Sequence, residues 1–194
     1  MIKHSERCKK CKVRIYELLC SSFGEVMKNY NLHLPARLED YSNLSYFQSL
    51  SKIYKFLQEC RGYYNFVRAK HLSRADFFVV NPGFIVEFDE SQHFTAQRKI
   101  ALELYSSSLM LGFDRNKWIT LCEKMNKHDN DRNCIYRDEQ RAWYDTLKDM
   151  APDILGLRPT TRLYAKNLAW CKLDPSSKKD QDLFKEVLYG PYRF

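Results

Sequence analysis

Residues 75–99 read ADFFVVNPGFIVEFDESQHFTAQRK, and the fold of the chain turns on them. Two apolar runs, ADFFVV and FIVEFDE, flank NPG, the pattern of a β-hairpin with turn residues at its tip. The puzzle is Glu87 and Asp89, two carboxylates in an otherwise apolar strand. At i and i+2 they point to the same face, so their charges repel at short range. If Pro82 and Gly83 form a two-residue turn, Asp76 lies directly across from Asp89, with Glu87 two positions along, and three carboxylates converge. A one-residue slip would send Asp76 to the other face. Phe77, Val79, Val86 and Phe88 then supply the opposite, buried face.

Acidic groups held together on a rigid sheet have raised pKa values unless a cation offsets them. Hard oxygen ligands suit Mg2+ or Mn2+. Such an ion can activate water and stabilise charge that develops on a phosphate.

Working outward, the segment CKVRIYELLCSSFGEVMKNY has apolar residues at helical spacing, with Gly24 as a stop or interruption. SNLSYFQSLSKIYKFLQECRGY carries the stripe Leu50, Ile53, Tyr54, Leu57 and ends on Arg61 and Gly62, a second helix. After the hairpin, TAQRKIALELYSS returns to helix and KWITLCEKM reads as a buried strand. RDEQRAWYDTLKDMAP reads as a helix stopped by Pro152, TTRLYAKNLAWCKL as one or two strands, and KDQDLFKEVLYG as a closing helix. The expected class is α/β, a mixed β-sheet flanked by α-helices. It is organised as a single domain: an N-terminal helical part over 1–62, an α/β core over 63–173 and a C-terminal helix over 174–194.

Composition sets outer bounds. Hydrophobic residues at 44% and aromatics at 14% give enough apolar surface for an ordered core, which excludes a disordered chain. Lys and Arg outnumber Asp and Glu by 32 to 24, a net charge of +8 that favours polyanionic partners. No stretch reaches the length of a membrane span, and MIKHSERCKKCK lacks the apolar core of a signal peptide, so no membrane partner and an intracellular site, cytoplasmic or nuclear, are expected.

ADFFVV followed by IVEFDESQH resembles the PD-(D/E)XK restriction-endonuclease-like nucleases, in particular the branch of very-short-patch-repair endonucleases with a D-F … E-x-D-G-x-x-H pattern. The resemblance implies a restriction-endonuclease-like core of mixed sheet with flanking helices and a metal-dependent endonuclease or nickase that hydrolyses DNA. The alternative is a catalytically inactive nucleic-acid-binding module of the same fold. Matched residue by residue, Asp76 is the first motif aspartate, Glu87 the motif glutamate and His93 the trailing histidine. Asp89 stands where the wider superfamily has lysine, and Glu90 where the branch has glycine. Asp76, Glu87 and Asp89 are thus the expected Mg2+ ligands, with His93 assisting proton transfer. A helical glutamate, Glu17 or Glu25, could complete the metal shell, as one does in some relatives. His93, Arg98 and Lys99 are candidates to replace the missing lysine.

Outside this segment, Tyr63, Tyr64, Arg68, Lys70 and Arg74 interleave aromatic and basic groups in a way that suits nucleic acid, DNA before RNA. Arg137 and Arg141 are further candidates for phosphate contacts. In the helix they share, Arg141 and Asp145 are spaced to pair, and Trp143 and Leu147 share an apolar face.

Seven cysteines, an odd number without scaffold-like spacing, point to reduced thiols. His4, Cys8 and Cys11 form H-x-x-x-C-x-x-C, half of a structural Zn2+ site. Its completing ligand would come from Cys60, Cys122, His128, Cys134 or Cys171.

Overall fold

The hairpin forms, and a sheet grows from both of its strands. The computed structural model describes residues 8–129 and 134–190. In chain order the elements are α1 (Lys9–Phe23), β1 (Val26–Tyr30), α2 (Phe47–Arg61), β2 (Ala75–Val79), β3 (Phe84–Asp89), α3 (Ala96–Glu103), α4 (Arg115–Met125), α5 (Arg137–Leu155), β4 (Arg158–Tyr164) and α6 (Lys178–Tyr189). Short 3-10 turns occupy Leu38–Tyr41, Ser91–His93 and Trp170–Lys172. The α/β class expected from sequence is thus observed, as one mixed sheet in the order β1-β2-β3-β4. Neighbours are antiparallel except for β3 and β4. A parallel pair needs a long crossover, and α3, α4 and α5 make it.

The sheet divides two apolar clusters. Ile85 faces Leu50, Ile53 and Leu57 of α2, Leu102 of α3, Trp118 of α4 and Trp143 and Leu147 of α5. Phe77, Val79, Val86 and Phe88 face Ile15, Leu18 and Leu19 of α1 and Phe184 and Leu188 of α6. All six residues of β3 are therefore buried. Alternation along β3 puts Glu87 and Asp89 on the Ile85 side, inside the protein.

Several expectations need correction. Val79 pairs with Phe84, so the turn holds the four residues 80–83, with Gly83 at φ +88°, instead of two. The register shifts by two, which sets Asp76 opposite Glu87 and not Asp89; an even shift preserves the facing of every side chain. KWITLCEKM is α4, not a strand. Trp118 and Cys122 are its buried residues, one turn apart, and the Asp114 side chain caps it by accepting from Lys117 N at 3.1 Å. The first helix ends at Phe23, where Gly24 takes φ +84°, and the chain leaves as β1, the sheet's edge; Glu25 is therefore not helical.

Pro152 does not stop α5, which runs to Leu155 and ends on Gly156 at φ +66°. A proline costs a helix the bond to the carbonyl four residues back. Here that carbonyl, of Lys148, accepts the Thr160 hydroxyl of β4 at 2.8 Å. The run after Pro159 is one strand followed by the 3-10 turn at Trp170. Asn29 in β1 takes φ +51° at the position level with Asp76. On the far side, the backbone at Gly112 presses on β4, such that a β-carbon there would meet Thr160 O at 2.8 Å and Pro159 O at 2.9 Å.

Candidate functional site

The hydrogen-bonded ladder between β2 and β3 reaches Phe77 and Val86 and no further. Past it, carboxylates stand between the strands: Asp76 N donates to Glu87 Oε1 at 3.1 Å, and Phe88 N donates to Asp76 Oδ2 at 2.9 Å. The hairpin thus opens into a fork with an acidic group on each prong. Two lysines close on it from opposite faces of the sheet. Lys12 Nζ of α1 lies 2.6 Å from Asp76 Oδ1, and Lys148 Nζ of α5 lies 2.8 Å from Glu87 Oε2.

Access is one-sided. Glu87 and Lys148 are buried, whereas the side chains of Asp76 and Lys12 are 22% and 44% exposed. Burial raises the proton affinity of Glu87; Lys148 opposes the rise and Asp76 adds to it. For Lys148 burial acts against the charge, but Glu87 and Asp145 outweigh it and hold the ammonium charged.

Asp89, two residues along, sits in a separate network. Its carboxylate accepts from Arg162 Nη1 at 2.8 Å and Trp118 Nε1 at 2.7 Å. Arg162, wholly buried on β4, also donates to Asp149 Oδ1 at 2.7 Å and to the Asp145 carbonyl at 3.1 Å. Asp149 takes Arg98 and the Tyr105 hydroxyl, and His93 Nδ1 lies 2.9 Å from Asp145 Oδ2 and 3.7 Å from Asp89 Oδ1. Three carboxylates thus face two guanidiniums and one imidazole, and charges cancel when His93 is protonated. The shifts agree in direction. Burial pulls His93 down, but Asp145 and Asp89 bring it above the ordinary imidazole value. Burial likewise opposes the charge on Asp145, yet His93 and Arg162 hold it well below the usual carboxylate range.

The repulsion foreseen between Glu87 and Asp89 is accordingly offset by the chain's own cations, Lys148 for one and Arg162 for the other. The structure brings Asp76 and Glu87 together; it joins Asp89 to His93 in the neighbouring network. Arg98, expected near phosphates, is 2% exposed and bonded to Asp149 and Tyr105, so burial removes it from any surface role. Arg141 does not pair with Asp145; it donates to the Gln92 carbonyl at 2.8 Å and to Asp129 at 3.1 Å. Arg137 approaches Asp129 too, Lys99 pairs with Glu103 and Glu123, and Glu17 pairs with Arg14. Arg68, Lys70 and Arg74 are exposed on the segment leading into β2, with Arg68 stacked over Tyr136.

Lys12, Lys148, Arg162, Asp145 and Asp149 were not singled out from sequence as partners of the carboxylates. One signal was present: Asp145, Lys148 and Asp149 stand at i, i+3, i+4, which reads as a solvated helix face yet is the face turned to the sheet.

Among the described residues, two groups of side chains could hold a metal ion. Asp89, His93 and Asp145 have ligand atoms within 4.8 Å of one another, and so do Cys8, Cys11 and Cys171. His4 lies outside the described residues. Among those described, no helix is long and apolar enough to cross a membrane. A surface hollow of 430 Å³, lined by Ser106, Leu109, Met110, Phe113 and Arg115 among others, includes no residue of the fork. Comparison of the chain with protein-family models, with curated proteins and with solved structures finds no match.

Proposed function

We propose that the protein is a Mg2+- or Mn2+-dependent endonuclease or nickase of restriction-endonuclease-like fold, acting inside the cell on DNA, the substrate of the nucleases that residues 76–99 resemble. The observation that carries this reading is the fork, where Asp76, Glu87 and Lys148 meet at the point where β2 and β3 part. The donor set fits a hard cation: two carboxylates, one of them open to solvent, with Lys12 on a flexible stem as the group to be displaced. Asp76 and Glu87 would hold the ion, which when bound activates water and stabilises charge on the phosphate.

Lys148 supplies the cationic group whose absence from the sequence motif was apparent. Its ammonium, kept charged by Glu87, would stabilise negative charge that builds up on a phosphate oxygen. The left-handed Asn29 beside Asp76 is a local distortion of the kind that gathers at functional positions. Asp89, His93 and Arg162 hold β3, β4 and α5 in register and keep the fork rigid. Arg68, Lys70 and Arg74, exposed just ahead of Asp76, are the basic groups that would track a phosphate backbone.

One observation favours the alternative, a module that binds nucleic acid without cutting it: each oxygen of Asp76 and Glu87 already has a donor within the chain, Lys12 included. Plasmid nicking in Mg2+ and in EDTA separates the two. The nuclease requires nicking only with the ion, lost about 100-fold in Glu87→Gln and in Lys148→Met, as removal of a charge-stabilising group typically costs. Salt-dependent DNA binding with no cleavage by wild type in Mg2+ or Mn2+ would establish the binding module instead.

A further inference from the structure

We infer that Cys8, Cys11 and Cys171 bind a zinc ion that fastens the start of α1 to the turn at Trp170–Lys172. The inference stands apart from the nuclease reading and uses different residues. Five partners could complete the C-x-x-C pair as far as sequence goes, and the fold brings one of them, Cys171, from 160 positions away. The three sulfurs lie within 4.8 Å of one another. In a tetrahedral zinc site with Zn–S of about 2.3 Å, sulfurs are ~3.8 Å apart. An inward movement of an ångström or less per pair therefore builds three corners of the tetrahedron.

The scaffold around the thiols is fixed before any ion arrives. Cys8 stands at the N-cap of α1 and its carbonyl accepts from Cys11 N at 2.9 Å, which sets both side chains on one turn. Cys11 is buried beside Ile15 and Leu18 in the cluster under the sheet. Cys171 is held by its neighbour Trp170, whose ring is buried against Phe184 and whose Nε1 donates to Tyr164 O at 3.1 Å. Three soft thiolates select zinc over magnesium or calcium. Zinc binds thiolates, so its arrival must displace the thiol protons. The fourth corner falls to solvent.

Lys12, the residue after Cys11, is the one that caps Asp76, so the clamp also fixes where α1 presents that ammonium. The test uses the full chain purified without chelator and refolded with one equivalent of zinc under reducing conditions. Native mass spectrometry should find one zinc per chain, and X-ray absorption at the zinc edge three sulfur neighbours with one lighter atom. Cys171→Ser should lower zinc affinity at least tenfold. In wild type, zinc should protect Cys8, Cys11 and Cys171 from iodoacetamide while exposed Cys60 reacts, whether or not the serine variant folds. No bound zinc, two or fewer sulfur neighbours, or equal labelling of all four thiols with the ion present would overturn the inference.

Discussion

Replacing Arg162 by methionine should destabilise the protein by about 4 kcal/mol at neutral pH, and by much less in mild acid. The buried network holds Asp89, Asp145 and Asp149 against Arg98, Arg162 and, when it carries its second proton, His93. Methionine fills much of the same volume but leaves the group one positive charge short. The least unfavourable repair is for one carboxylate to take up a proton. From an ordinary pKa of about 3.9, that costs ~4 kcal/mol at pH 7 and ~1.5 kcal/mol at pH 5, at 1.36 kcal/mol per unit. The first figure falls in the range of ~3–5 kcal/mol found on breaking buried ion pairs. Urea unfolding of wild type and Arg162→Met at both pH values, with midpoints compared at a common slope, reads the difference. A variant too unstable to fold at pH 7 should regain its fold at pH 5. A difference that is the same at both pH values, or below ~1 kcal/mol at pH 7, would refute the charge count.

Two further outcomes follow from single contacts. His93 has a folded-state pKa above the ordinary imidazole value, so its stabilisation is complete below about pH 6.5 and declines as pH rises through the folded value. Wild type should lose stability across that window by at most ~1.4 kcal/mol per pH unit, and His93→Gln should show a flat profile there, read by chemical denaturation at half-unit steps. Thr160→Val leaves the Lys148 carbonyl without its donor and should cost ~1–3 kcal/mol. In a Pro152→Ala background, the restored backbone N–H takes over, so the same change should cost less; strictly additive losses in the double-mutant cycle would count against the repair described for α5.

The hairpin was legible because its pattern is local: two apolar runs and a turn at fixed spacing. Its register was off by two because a two-residue and a four-residue turn leave the same alternation on both strands, and only three-dimensional closure distinguishes them. The α4 segment shows a similar limit. WITLC is a short apolar run, which periodicity alone assigns to strand or helix indifferently, and the deciding caps, Asp114 and Asn126, lie at its ends. Asp76 and Glu87 were found from sequence because they share one hairpin. Lys148 and Arg162 were not, since Lys148 lies in the last helix of the crossover and Arg162 on the strand beyond it, and a charged residue on an amphipathic helix ordinarily faces water. Cys171 is the same case for the thiols, one of five candidates until the fold placed it.

The two margins of the sheet have a consequence for how copies of this protein behave at high concentration. A bare outer strand invites another chain to zip alongside. Along β4 the chain near Gly112 already lies against the backbone and shields it. Along β1 the ladder is interrupted by the left-handed Asn29 and guarded by Lys28, whose ammonium rests over Tyr16. A guest strand would find one rail covered and the other broken partway, so the native fold should resist edge-to-edge polymerisation.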